Sequence, residues 1–247
     1  MLIVEDLSKS FNKKLNLFPN KNSNKSIVLK DISFKLNDGD RLAILGHNGS
    51  GKTTLLKILF GSITPDYGKI SWKKQSFLPS NGLKEISSMF NNNDRSFFWR
   101  LSVNDNLKYF NSLNLEFEAD HNSTNCIDDL SIKELTDIPF MNLSSGQKKK
   151  VSLFRGLLKN PQILFFDEFT DSLDLRNQIQ IKKLVKNKLA KELNKTIIWV
   201  THSLDEVKEI CNKVLILENG SIKFFNDSFN GGEKELAQIE NMLLKNE

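Results

Sequence analysis

Gly46-His47-Asn48-Gly49-Ser50-Gly51-Lys52-Thr53 decides how the chain is read. The run Leu42-Ala43-Ile44-Leu45 precedes it and Thr54-Leu55-Leu56-Lys57-Ile58-Leu59 follows, so a strand leads into a glycine loop and the loop into a helix. Glycines lack a Cβ, which lets the backbone curl until several N–H groups point inward. The positive end of the following helix strengthens that concave anion site. Lys52 is placed to reach β- and γ-phosphates, and the Thr53 hydroxyl to ligate Mg²⁺. A glycine-rich turn would account for the glycines alone, but the flanking strand and helix favour binding of a nucleoside triphosphate.

Working outward, the 247 residues have room for one large α/β domain or a domain with an inserted lobe, and 39% apolar residues supply a core. The net charge of +5 is spread along the whole chain, which reads as a solvated surface, and no nucleic-acid partner is expected. Cys126 and Cys211 lie far apart and outside metal-like spacing, consistent with a reducing, cytoplasmic setting without disulfides. Met1 to Asp6 lacks a positive region followed by an apolar one, so no signal peptide is expected. No apolar run approaches the roughly 20 residues that span a bilayer.

Taken in order, Leu2 to Val4 and Ile27 to Leu36 read as strands, the second with a slip at Lys30-Asp31 that a bulge would explain. Asn12 to Lys25 reads as an exposed, Asn- and Lys-rich insertion. Gly68 to Trp72 and Ile86 to Phe90 are short strands. Residues 91–160 change character, with helices expected at Val103 to Leu113, Ile127 to Leu135 and Gly146 to Leu158. Strands return at Ile163 to Phe166, Thr196 to Val200 and Val214 to Leu217, alternating with helices at Leu175 to Leu193 and Leu204 to Cys211. That alternation implies a mainly parallel, doubly wound sheet. Ser221 to Phe225 reads as an edge strand and Glu233 to Leu244 as a terminal helix.

A second motif, Ile163-Leu164-Phe165-Phe166-Asp167-Glu168, ends a buried strand with two carboxylates. Ligands bind at the carboxyl ends of such strands, and acids there are costly unless a cation or catalysis uses them. Asp167 is expected in the Mg²⁺ shell, and Glu168 as the base that orients and deprotonates the attacking water. A third motif, Leu143-Ser144-Ser145-Gly146-Gln147, opens the helix that precedes this strand. By itself Ser-Ser-Gly at a helix start is an ordinary N-cap.

With the three motifs in this order, residues 1–225 resemble the nucleotide-binding subunit of an ABC transporter. Leu143 to Gln147 match that family's LSGGQ signature, with Ser145 at its first glycine. The resemblance implies an α/β fold of the P-loop NTPase, RecA-like kind. Its parts are a mainly parallel core at 1–90 and 161–225, an antiparallel N-terminal β-subdomain, an inserted helical lobe at 91–160, and a C-terminal helical extension at 226–247. It further implies ATP and Mg²⁺ as cofactors, bound by Gly46, His47, Asn48, Gly49, Ser50, Gly51, Lys52, Thr53 and Thr54. Lys52, Glu168 and His202 are the expected catalytic residues, and Thr53 and Asp167 the metal ligands. Phe11 matches the aromatic that stacks on adenine, and His202 in Thr201-His202-Ser203 the switch histidine. Ser172-Leu173-Asp174 matches the D-loop, while Phe169 replaces the proline usual after the catalytic glutamate.

The family's Q-loop glutamine has no match at the end of the strand Ile86 to Phe90. Asn91 stands there, and its amide oxygen can serve Mg²⁺ or water from a shorter stem. Ser144, Ser145, Gly146, Gln147 and Asp174 are expected to act in trans, on ATP held by the other copy of a homodimer or by a sister ATPase. Asp94 to Leu101 crowds three aromatics and two arginines where the family docks its integral-membrane subunit, and core packing would explain the aromatics equally well. This stretch, the Asn12 to Lys25 insertion and the Gly39 to Arg41 entry are similar to ABC-2-type and polysaccharide exporter ATPases. The expectation is therefore an exporter ATPase, cytoplasmic and peripheral on the membrane through its partner. The alternative is a soluble ABC-type ATPase acting on DNA or ribosomes, but neither a second nucleotide domain nor a coiled-coil insertion is present. A small GTPase would need Asn-Lys-x-Asp, and Asn187-Lys188, Asn194-Lys195 and Asn212-Lys213 all lack the acid.

Overall fold

Two aspartates shape the first sheet. β1 (Leu2–Asn12) and β2 (Lys25–Leu36) start in antiparallel register at Leu2↔Leu36 and Val4↔Phe34, and then the pairing shifts to Leu7↔Ile32 and Lys9↔Leu29. Asp6 and Asp31 both adopt φ 51°, each beside a shift. The Asp6 N–H donates to the Ser33 hydroxyl at 2.8 Å and the Asp31 N–H to the Ser8 hydroxyl at 2.9 Å, so each bulge is stitched by a serine on the other strand. The slip expected at Lys30-Asp31 is thus a bulge. The strand expected at Leu2 to Val4 runs on to Asn12 because its pairing with β2 resumes after each bulge. β4 (Tyr67–Trp72) pairs on the other side of β1 and β5 (Gln75–Phe77) on β4, giving a four-stranded antiparallel sheet.

The computed structural model describes residues 1–12, 25–73, 75–77, 83–91, 96–112 and 128–244. Most of the expected insertion falls outside these, between Asn12 and Lys25, which pair with each other across β1 and β2. Contacts group the chain into two compact units, Met1–Glu85 with Ile198–Glu247, and Ile86–Ile197. The division expected from the sequence set residues 91–160 apart, whereas this grouping places the strand with Asp167 among the helices of the second unit and residues 226–247 in the first.

In the first unit, β3 (Arg41–Leu45) pairs in parallel with β9 (Lys213–Glu218), and β10 (Ser221–Asn226) lies antiparallel on β9. Leu42 to Leu45 and Val214 to Leu217 are buried almost without exposure, as continuous apolar runs require when both faces of a strand are covered. Helix α1 (Lys52–Phe60) buries Leu55, Leu56, Ile58 and Leu59. Two further helices, Leu204–Ile210 and Glu233–Leu244, complete this unit; the second matches the expected terminal helix at both ends. Cys211 is buried, which pushes its thiol pKa up and leaves it inert.

In the second unit, β6 (Ser87–Phe90) pairs in parallel with β7 (Ile163–Asp167), with Phe90 opposite Phe166. The described helices are α2 (Val103–Ser112), α3 (Ser145–Leu157) and α4 (Leu175–Lys183). The helix expected at Ile127 to Leu135 is broken at Ser131 (φ 54°), and only a 3₁₀ turn at Lys133–Leu135 follows. Beyond α4 the chain widens into a π-helix at Leu184–Glu192, whose buried Leu184, Val185, Leu189 and Ala190 recur at a spacing of five. The fully buried β8 (Thr196–Val200) carries the chain from the second unit into the first. Parallel pairs, an antiparallel N-terminal sheet and intervening helices make this an α/β fold of the expected class. We number the remaining helices α5 (Leu204–Ile210) and α6 (Glu233–Leu244). Among the described residues no helix is long and apolar enough to cross a membrane.

Candidate functional site

The phosphate loop is built by close approach. Gly46 follows β3 at φ 144°, and a Cβ there would stand 2.2 Å from the Leu217 carbonyl oxygen of β9, so no side chain fits. The Ser50 N–H donates to the His47 carbonyl at 3.1 Å, and the Gly220 N–H to the Ser50 carbonyl at 3.2 Å, which anchors the loop to the β9–β10 turn. Gly51 (φ 107°) precedes α1 and offers no side-chain cap, and the first turn of that helix holds no acid. Its N–H groups and positive dipole end therefore have no anionic partner on their own helix.

Lys52 is 5% exposed, with its ammonium folded over the loop onto the carbonyls of Gly46 (2.6 Å) and His47 (3.0 Å). Two buried polar atoms, Ser50 Oγ and His47 Nε2, have no hydrogen-bond partner. Buried polar atoms are rarely left so, and a bound polyphosphate would satisfy them. The loop fits ATP on its own geometry.

A cleft of about 190 Å³ opens on this loop, lined by Leu45, Gly46, His47, Asn48, Thr201, His202 and Leu243. The first unit thus places His202 in one cleft with the phosphate loop. Glu206, which the sequence reading passed over, shapes that turn. Its carboxylate is 5% exposed and accepts from Thr201 Oγ1 (2.6 Å) and Trp199 Nε1 (3.0 Å), while Thr201 Oγ1 accepts the Ser203 N–H at 3.0 Å. Phe11 is not among the residues lining the cleft. It stands on β1, 39% exposed, with the Lys9 ammonium 5.3 Å from its ring centroid. The Asp66 carboxylate binds Ser10 and Lys9 beside it, and those hydrogen bonds hold its pKa down at about 2.

In the second unit, Ser144 caps α3. Its hydroxyl accepts the Gln147 N–H at 3.2 Å while the Gln147 side-chain oxygen accepts the Ser144 N–H at 2.9 Å, a complete capping box. Gly146 lies against Asn177, whose Nδ2 would stand 2.3 Å from an added Cβ. Asn177 in turn donates its N–H (2.9 Å) and its amide (2.6 Å) to Asp174, and these bonds lower the Asp174 pKa. Asn177, also missed in the sequence, thus joins Ser144–Gln147 to Asp174. A cleft of about 650 Å³ is shared by Ser144, Gln147, Asp174, Asn177, Lys150, Arg176 and Lys183, among others. Burial, and secondarily the Arg176 charge, push the Lys150 pKa down.

Asp167 and Glu168 stand half-buried at the carboxyl end of β7, behind the fully buried Ile163–Phe166, and Glu168 takes φ 49°. Gln178 holds the following turn by donating to the carbonyls of Thr170 (3.2 Å) and Leu173 (3.1 Å). Asn91 is half-buried just past the end of β6; Asn92 and Asn93 lie outside the described residues. Phe97 is core, stacked on Phe140 at 4.2 Å, whereas Phe98 (44%) and Trp99 (49%) are exposed, so the aromatic stretch serves both packing and surface. Among the described residues no three His, Cys, Asp or Glu side chains gather as a metal cage. Mg²⁺ suits such a donor set, since it takes one or two protein oxygens and completes its shell with phosphate and water.

The model of the ABC transporter family matches residues 29–171. The energy-coupling factor transporter ATP-binding protein EcfA of Malacoplasma penetrans is 34% identical over 206 residues, covering 79% of this chain and 69% of that protein. The methionine import ATP-binding protein MetN 1 of Enterococcus faecalis is 33% identical over 81% of this chain, which spans only 58% of that relative's length. Among solved structures, cbiO1 of Clostridium perfringens, part of the ABC transporter complex cbiONQ, superposes with a TM-score of 0.76 at 29% identity, covering 99% of this chain and 95% of that one. The dimeric cassette MJ0796, bound to ADP and Pi, shares the fold at 20% identity, with a TM-score of 0.75 over 92% of this chain and 98% of that one. These relatives correct the export expectation. The curated ones are named for import and energy coupling, not for ABC-2-type or polysaccharide export.

Proposed function

We propose, from the premise that the chain belongs to the ABC transporter family, that it is the ATP-hydrolysing subunit of an importer and energises a separate membrane protein. The chain is an ATPase that uses ATP with Mg²⁺. The import direction is carried over from the relatives' names, and the membrane partner from the complex to which cbiO1 belongs. Phe98, Trp99, Leu101, Tyr109 and Met141 are exposed on the second unit and offer an apolar surface for that partner.

In this reading Lys52 and the N–H groups of residues 46–54 bind phosphate, and Phe11 stacks on the base. Thr53, Asp167 and Asn91 offer oxygens to Mg²⁺, which when bound neutralises charge on the phosphates. Glu168 orients the attacking water and takes its proton, while His202 contacts the γ-phosphate. One observation carries the rest: among the described residues, helix starts suited to phosphate stand at both Gly46–Thr54 and Ser144–Gln147, for a single nucleotide. Each serves a different copy if two chains close head to tail, with Ser144–Gln147 and Asp174 of one facing ATP on the other.

Glu168→Gln keeps size and hydrogen bonding but cannot accept the proton. With saturating ATP and Mg²⁺ it is expected to lose nearly all turnover and to double in mass by light scattering. Wild-type turnover, or a monomer under those conditions, would refute the assignment or the self-pairing respectively. A strain lacking the chain is expected to lose uptake of a nutrient; intact uptake with lost efflux would reverse the direction.

A further inference from the structure

Glu168 stands at φ 49°, a left-handed conformation that a residue with a side chain keeps only where its surroundings impose it. The helix that opens with Ser144–Gln147 reaches the residue after it. Along α3 the buried positions include Gly146, Lys149, Leu153 and Leu157, a helical stripe with a lysine in it. Lysine is almost never fully buried unless its charge is met, and a methionine or leucine would fill the stripe without desolvating an ammonium. Lys149 is nevertheless only 5% exposed. Its Nζ donates to the carbonyl of Phe169, the residue directly after Glu168, and lies 5.1 Å from the centroid of the Phe169 ring.

That ring has nowhere to go. Phe169 is fully buried, 5.8 Å from the Phe90 ring and 5.7 Å from the Phe166 ring, and those two stack on each other at 4.9 Å. Phe90 ends β6 beside Asn91, and Phe166 precedes Asp167 on β7. The ammonium therefore holds the Phe169 carbonyl while the Phe90 and Phe166 rings pack against the Phe169 ring.

We propose that Lys149 is a positioning residue for Glu168, holding the Glu168–Phe169 turn in register with the helix that begins at Ser144. The proposal rests on Glu168 being the base. Lys149 is a link by which a displacement of α3 reaches the turn, so engagement of Ser144–Gln147 and the placing of Glu168 are coupled within the second unit.

Steady-state ATP hydrolysis by the full chain tests it. Lys149→Met keeps the length and bulk of the stem but removes the donor. It is expected to lower kcat about tenfold, the effect of losing one charge-assisted hydrogen bond, with KM for ATP unchanged. Hydrogen exchange should rise at residues 168–173 and stay as in the wild type at residues 46–53; a general rise would mean a merely structural role and overturn the proposal. In a Glu168→Gln background Lys149→Met should bring no further loss, and an additional tenfold loss there would also overturn it. Wild-type turnover in Glu168→Gln alone would instead remove the reading of Glu168 as base, a distinct failure. Should Lys149→Met not fold, Lys149→Gln, whose donor is one bond nearer the backbone, decides the matter: a lower kcat at unchanged KM supports the proposal, and an unchanged kcat overturns it.

Discussion

The two helix starts that suit phosphate are finished in opposite ways. At α1 the chain leaves the job undone: Gly51 gives no side-chain cap, Ser50 Oγ and His47 Nε2 are buried without partners, and Lys52 rests on loop carbonyls. At α3 the protein satisfies itself, with Ser144 and Gln147 closing a capping box on an exposed turn. The difference is one of self-sufficiency. Buried polar atoms left unmet in a loop make a binding site that a single chain can use, because the ligand supplies what folding did not. A capped, exposed start gains less from an anion arriving alone, so it suits a site completed only when another surface brings the phosphate to it.

The largest expected effect falls on the unfinished side. Lys52→Ala removes the one ammonium of the loop, and ATP affinity measured by calorimetry with Mg²⁺ should fall about ten- to a hundredfold, or about 1.5–3 kcal/mol. Unchanged affinity would mean that the loop's N–H groups suffice, and the contrast with α3 would lose its main support.

Next come the two close-packed glycines, which sharpen the same contrast. At Gly46 the obstacle to a methyl group is the Leu217 backbone carbonyl, which cannot move without breaking the pairing of β3 with β9. Gly46→Ala should cost about 1–3 kcal/mol in urea denaturation and weaken ATP binding about tenfold. At Gly146 the obstacle is the Asn177 side chain, which can rotate at the expense of its hydrogen bond to Asp174. Gly146→Ala should cost about 0.5–1.5 kcal/mol and leave monomer ATP affinity as in the wild type. Equal losses would show that the two starts are built alike after all.

The smallest effect is reserved for Ser144→Ala. Loss of the cap should destabilise the second unit by about 0.5 kcal/mol, read from denaturation, while calorimetric ATP binding to the monomer stays unchanged. A drop in monomer affinity would place Ser144 in the same site as Lys52.

The loop and its partners were legible because their signals are local. Gly46 to Thr53 announces a strand, a loop and a helix within a few residues, and β8 and α6 match the expected spans Thr196 to Val200 and Glu233 to Leu244 at both ends. The apolar run Ile163–Phe166 reads as a buried strand and the acids after it as its carboxyl end, and β7 spans Ile163–Asp167. Ser144 was legible as a cap for the same reason, since the capping box is a pattern within four residues.

What escaped the sequence depends on residues far away along the chain. Glu206 reads as an ordinary first-turn acid until Trp199 and Thr201 are seen to donate to it, and Asn177 as a polar helix residue until Gly146 lies against it. Periodicity could have flagged Lys149, because it occupies a core position of α3; only packing shows that the Phe169 carbonyl is what it meets there.

By itself, then, the sequence determined most strands and helices in order (β5 and the break at Ser131 excepted), the nucleotide loop, the carboxylate pair at the end of β7 and the α/β class, since each rests on short-range periodicity and turn chemistry. The tertiary structure alone decided how far β1 runs past its bulges, that Phe97 turns inward while Phe98 and Trp99 face out, and that β7 groups with the helices of the second unit. It also decided that an ammonium sits behind Glu168. The physical reason is the same in each case. Burial and hydrogen-bond partners are settled by whichever distant segment arrives on the other side, and a bulge or a buried lysine is stable only once that segment is in place.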